Sequence, residues 1–144
     1  MRMDKDESGL LRTVAAVIAD ARGRVLLVRK RGSRFFIQPG GKCEPDEAAL
    51  ETLARELREE LDVELAVDDA VFLGEFEASA VNEPGRRVRA QAFAVSVRGD
   101  PSPQAEIEAM AWVHPDELHT MTVAPLSADF ILPAWRSVRA QAAQ

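Results

Sequence analysis

Glu56, Glu59 and Glu60 stand three and four residues apart in "ARELREELDVEL", and two glycines, Gly40 and Gly41, lie upstream behind Pro39. At about 100° per residue, an i,i+3 and i,i+4 set of this kind lands on one edge of a helix. Carboxylates so placed repel each other by a few tenths of a kcal/mol per pair unless something neutralises them. Two arrangements do so. One is a solvated face laced with arginines, and Arg55 and Arg58 are there to supply it; helix patterning by itself leans this way. The other is a bound cation. Three oxygen donors with no His or Cys partner suit a hard ion, and Mg²⁺ fits best because it accepts few carboxylates and completes its shell with water and phosphate. Arg55 sits beside Glu51 and Glu59 in helical register, where it can orient a carboxylate. The Pro-Gly-Gly step ahead of the acidic run favours the second arrangement, since glycine lets backbone approach a ligand closely.

The element that must carry these groups is a helix beginning near Asp46. Leu50, Leu53, Leu57 and Leu61, with Ala54, recur at three- and four-residue spacing, so one side of it faces a core. The glutamates fall about a third of a turn away. Asp46 is the expected N-cap, and Glu47 suits the positive end of the helix dipole.

The spacing across this stretch resembles the signature of the Nudix hydrolases, the MutT-like family: G-x5-E-x7-R-E-U-x-E-E-x-G-U, with U a bulky aliphatic. Here it runs Gly41, Glu47, then Arg55-Glu56-Leu57-Arg58-Glu59-Glu60-Leu61-Asp62-Val63. The one departure is Asp62 in place of the second glycine. A residue there sits just past the helix end, where left-handed backbone is common, and Asp tolerates it at a cost of about 1 kcal/mol. No metal ligand is expected at Asp62.

The resemblance implies metal-dependent hydrolysis of a phosphoanhydride in a nucleoside diphosphate linked to another group. Carried over by position, it implies Glu56, Glu59 and Glu60 as metal-binding carboxylates and the Gly40 carbonyl as a further ligand. Arg55 and Glu47 would orient the cluster, and the cofactor would be Mg²⁺, with Mn²⁺ as a substitute. Glu59 is the first choice of general base, and Glu106 or Glu108 are the loop alternatives. Arg29, Arg34, Gly41 and Lys42 are the candidates for substrate contact, and for the cations an ordinary surface role is an equal reading. Within the family, diadenosine-polyphosphate hydrolases are marked by a tyrosine after the signature, and this chain has no tyrosine. Nucleoside triphosphates or damaged nucleotides are left slightly favoured. A Nudix-fold regulatory module that binds nucleotide without turnover is the alternative. A reactive-cysteine isomerase of related fold would need more than Cys43.

Around the helix the chain alternates strand and turn. "LRTVAAVIAD" and "RVLLVRK" read as strands joined in a hairpin, "FFIQ" as a short aromatic strand, and "AVFLGEFEASA", "RVRAQAFAVSVR" and "EAMAWV" as further strands. A short helix starts at Pro115, and residues 127–143 close the chain as a helix kinked or broken at Pro133. These elements, with the family resemblance, give an α+β fold, an α/β/α sandwich on a mixed central sheet. Residues 1–9 read as a flexible tail and 10–144 as one domain. Phe35 and Phe36 could stack on a base but fit core positions better. Trp112 and Trp135 also read as core, and His114 and His119 as capping or solvent-facing.

With 144 residues, the chain can bury one substantial core. The 18 Lys and Arg against 24 Asp and Glu leave a formal charge of -6, which disfavours long nucleic acids and anionic membranes. A small nucleotide remains compatible, since metal and local cations can neutralise it. The lone cysteine and the polar N-terminus give a cytoplasmic expectation, and monomer and homodimer stay equally open.

Overall fold

The computed structural model describes residues 9–142, so residues 1–8 of the expected tail lie outside the described residues. Strand β1 spans Leu10–Ile18 and β2 spans Val25–Lys30. Strand β3 is the short Gly40–Lys42, and helix α1 runs Ala49–Leu61. After it come β4 (Glu64–Leu65), β5 (Val71–Ser79), β6 (Arg87–Val95), β7 (Val97–Arg98) and β8 (Ile107–Val113). The chain closes with a 3-10 segment at Pro115–Thr120, π-helical turns at Leu126–Ile131 and helix α2 at Leu132–Ala142.

The main sheet has the order β3-β1-β6-β5, parallel between β1 and β6 and antiparallel elsewhere. It is the mixed sheet of an α+β fold. β1 is buried on both sides, which explains its almost unbroken apolar run. Val14, Ala16 and Ile18 face Leu53, Leu57 and Leu61 of α1. Ala15 and Val17 face Ile131, Leu132 and Trp135 on the other side. A helix therefore covers each face, and Trp135 is core, as its composition implied.

β1 and β2 do not form the expected hairpin ladder. Their turn is closed by the Asp20 side chain, which accepts from the Arg22 and Arg24 amides at 2.9 Å. Beyond the single Ala19–Val25 bridge the strands part, and β2 pairs antiparallel with β8 instead. Having apolar residues on both faces, β1 is worth more in the middle of the sheet, and β3 and β6 flank it there. "FFIQ" is likewise not a strand but two isolated bridges, Val28–Ile37 and Phe36–Val123.

Helix α1 starts later than Asp46, which takes a left-handed φ of 70° in the preceding turn. Ala48 is the N-cap, and Glu51 accepts from the Ala48 amide at 2.8 Å. At the other end Asp62 has φ 57° and ψ 43°, the left-handed geometry expected of a residue in the glycine position. Pro133 does not break the last helix. Proline removes one amide and crowds the carbonyl four residues back, and the wider π turns ahead of it relieve that clash while the winding continues. Among the described residues, no helix is long and apolar enough to cross a membrane.

Candidate active site

β3 is the platform of the site. Its pairing with β1 puts Gly41 opposite Val14 and Gly40 opposite Ala15, and the same segment lies against α1. Both glycines are required by contact. A Cβ on Gly40, whose φ is +149°, would strike the Val14 carbonyl oxygen, and one on Gly41 would strike the Glu56 carboxyl. The sequence places backbone directly under the acidic helix, with no side chain between.

Glu60 is buried, and its Oε1 accepts from the Gly40 amide at 3.3 Å. Burial, with the neighbouring charge of Glu56 second, pushes its carboxyl up to about 8. Glu56 is mostly buried beside it. Buried beside a second carboxylate, Glu60 keeps its proton more readily than an ordinary glutamate, and added positive charge would favour its ionised form. Glu59 behaves differently: its side chain is 57% exposed and only loosely approached by Arg55 Nη1, at 3.7 Å. Among the described residues no three acidic, His or Cys side chains converge as a ready-made shell. The structure brings Glu56, Glu60 and Gly40 together and leaves Glu59 largely exposed to solvent.

Arg55 organises the cluster, though not through Glu51, which is occupied at the N-cap. Its Nε and Nη2 donate to the two Glu47 oxygens at 2.9 Å each, and Nη1 donates to Glu56 Oε2 at 2.8 Å. Thr52 Oγ1 adds a hydrogen bond to Glu47 at 2.8 Å. The Arg55 guanidinium, first, and the Thr52 hydroxyl, second, hold the Glu47 carboxyl down to about 2. Glu47 therefore works through Arg55 rather than through the helix dipole.

Two adjoining cavities open beside β3. The inner cleft, about 150 Å³, has largely apolar walls such as Leu11, Ile37, Val88 and Ile131, with Gln38 and Ser127 among its polar residues. The outer mouth, about 570 Å³, is polar and includes Glu56, Glu106, Glu83 and Arg31. Lys30, Gly41, Lys42, Asn82 and Glu83 line both, so the spaces run in series. Lys42 Nζ is ion-paired with Glu83 at 3.0 Å, and Lys30 reaches Glu106 at 3.9 Å.

The other candidates lie elsewhere. Arg29 donates to Glu108 Oε1 at 2.9 Å and to the Ser33 carbonyl at 3.0 Å, and Arg34 stacks over Phe35 at 5.3 Å. Neither Arg29, Arg34, Phe35, Phe36 nor Glu108 lines the cavities. Cys43 also lies outside them, and burial, foremost, raises its thiol, which disfavours nucleophilic chemistry. His114 caps the 3-10 segment, its Nδ1 accepting from the Asp116 amide at 3.1 Å.

Lys30, Gln38, Asn82 and Glu83 were not singled out from sequence. Lys30 had a faint signal: it shares strand parity with Leu26 and Val28, so it ends an inward-facing row. Asn82 and Glu83 had none. Their turn, between β5 and β6, reaches the opposite end of the sheet, where Ser33 Oγ donates to Asn82 Oδ1 at 2.6 Å.

Residues 9–132 match the family model described as the NUDIX domain. The CTP pyrophosphohydrolase of Escherichia coli (strain K12) is 33% identical over 132 residues, spanning 88% of this chain and 93% of that protein. The solution structure of the E. coli ORF135 protein superposes with a TM-score of 0.74 at 30% identity, over 92% of each chain. The crystal structure of a MutT protein from Methanosarcina mazei Go1 gives 0.75 at 27% identity, over 92% of this chain and 98% of that one.

Proposed function

The chain belongs to the Nudix family and is a pyrophosphohydrolase of nucleotide-linked substrates, and on that premise we propose that it hydrolyses a nucleoside triphosphate with a divalent cation held at Glu56 and Glu60. The observation that carries this reading is the arrangement of the cavities. An apolar cleft fit for a nucleoside opens directly into a polar mouth that contains Glu56. A base and sugar in the first would lead their phosphates into the second. The similarity to a CTP pyrophosphohydrolase over nearly its whole length supports a triphosphate as the substrate class.

The donor set suits Mg²⁺, with Mn²⁺ as a substitute, because every candidate ligand is oxygen and two of them already strain against each other. Glu56 and Glu60 would hold the ion, with the Gly40 carbonyl and a reoriented Glu59 as further ligands. When bound, such a cation withdraws charge from the phosphates and eases ionisation of the attacking water.

The chain's own residues do the rest. Arg55, fixed by Glu47, holds the Glu56 carboxylate in place. Lys30 and Lys42 offer positive charge at the junction of the two cavities, where phosphate must displace Glu83 from Lys42. For the proton of the attacking water, Glu59 is the proposed base and Glu106, which lines the mouth, the competitor. Parallel Glu59→Gln and Glu106→Gln variants decide between them by which one flattens the acid limb of the kcat profile. The protein acts in the cytoplasm as one catalytic domain over residues 10–144. A panel of nucleoside triphosphates and diphosphate conjugates, with products followed by ³¹P NMR, tests the substrate class. Turnover confined to conjugates such as nucleotide sugars would refute a triphosphate substrate.

A further inference from the structure

Gln38 is 6% exposed and lines the inner cleft. Its backbone is pinned on both sides: Ile37 exchanges two hydrogen bonds with Val28, and the Pro39 carbonyl accepts from the Ala16 amide at 2.8 Å. Its side-chain Nε2 donates to the Ala16 carbonyl at 2.9 Å. That contact fixes the amide, because turning it over would set two carbonyl oxygens face to face. The remaining Oε1 is buried and has no hydrogen-bond partner among the described residues, the one such side-chain atom found there. Buried acceptors are nearly always satisfied, and one left unpaired beside a binding cleft asks for a donor from what binds.

We propose that Gln38 is a specificity-determining residue that selects nucleobases bearing an amino group, rather than a carbonyl, at pyrimidine C4 or purine C6. This rests on the reading that the inner cleft holds the nucleoside. Cytosine and adenine present an amino donor at the position where uracil and hypoxanthine present a carbonyl. An amino group satisfies the Gln38 oxygen. A carbonyl leaves it unpaired and adds repulsion between two acceptors, and Gln38 cannot invert without losing Ala16. The selection is by chemistry at one edge of the base and does not depend on the phosphates.

The test compares kcat/KM for two matched pairs, CTP with UTP and ATP with ITP, in the wild-type protein, Gln38→Leu and Gln38→Met. Wild type should favour the amino member of each pair by roughly tenfold to a hundredfold. Both variants should lose that preference, by slowing the amino substrates and, with the repelling oxygen gone, leaving the oxo substrates as fast as in wild type or faster. If either variant fails to fold, the other and the wild-type ratios still decide. Equal turnover of amino and oxo substrates by wild type overturns the role of Gln38 and leaves the triphosphate reading standing. Equal slowing of all four by the variants does the same. No turnover of any of the four by wild type overturns both.

Discussion

Arg55 grips Glu47 with two hydrogen bonds of 2.9 Å, across eight residues of sequence, and turns its third nitrogen onto Glu56. A planar guanidinium can satisfy both carboxylates at once, and a lysine ammonium cannot reproduce that fork. Arg55→Lys should therefore lower kcat by about 10- to 100-fold, the usual cost of losing a partner that orients a ligand. KM should change little, since neither Arg55 nor Glu47 lines the cavities. Steady-state kinetics checks the split.

Glu60 links the site to pH. Its carboxyl is raised to about 8, so in metal-free protein the protonated form contributes stability that is complete below the ordinary carboxylate value and disappears as pH climbs through about 8. Melting temperature in EDTA should fall between pH 5 and 9 relative to that of Glu60→Gln. A Mg²⁺ ion held at Glu60 would compete with that proton, so on the proposed reading its stabilising effect on wild type should grow over the same range. Parallel melting curves for the two proteins would expose a failure of either trend.

Glu47 gives the opposite sign. Its depressed carboxyl contributes stability that is present above the ordinary carboxylate value and is lost only as pH falls towards about 2. Acid unfolding of wild type should thus outlast that of Glu47→Gln at pH 5, and the two should converge at the lowest pH reached by circular dichroism.

Gly41→Ala inserts a methyl into the Glu56 carboxyl. Backbone φ at Gly41 is not in the left-handed region, so the strain falls on the site more than on the fold. Activity should drop at least tenfold, with the melting temperature lowered by only a few degrees. A fully active Gly41→Ala would mean that Glu56 can move aside without consequence.

Asp62 tests the opposite expectation, of harmlessness. At φ 57° it holds the glycine geometry of the helix end, away from both cavities. Asp62→Gly should stabilise by up to about 1 kcal/mol and leave kcat within about twofold.

The acidic helix was legible because its two periodicities are local: leucines at helical spacing for the core, and glutamates turned to an adjoining edge. The glycines were legible for the same reason, being placed by covalent distance from that helix. Strand pairing was not, because whether β2 joins β1 or β8 depends on which face of β1 needs covering. The cleft was hidden for a related cause. Gln38, Lys30 and Glu83 meet only after β3 has folded onto β1 and the β5–β6 turn has crossed the sheet. Arg29 and Arg34 show the converse, since nearness in sequence to Gly41 did not bring them to the cavities.

The central proposal is that Glu56 and Glu60 would hold a divalent cation on which cleavage of a nucleotide's phosphate chain depends. Its most direct measurement is the initial rate of phosphoanhydride cleavage from CTP by wild type and Glu56→Gln, each with Mg²⁺ and with EDTA. The account predicts turnover by wild type only with metal, and a loss of roughly 10²- to 10³-fold in Glu56→Gln, comparable to removing one preorganised charge-stabilising group. Undiminished hydrolysis in EDTA, or a Glu56→Gln protein as fast as wild type, would contradict it.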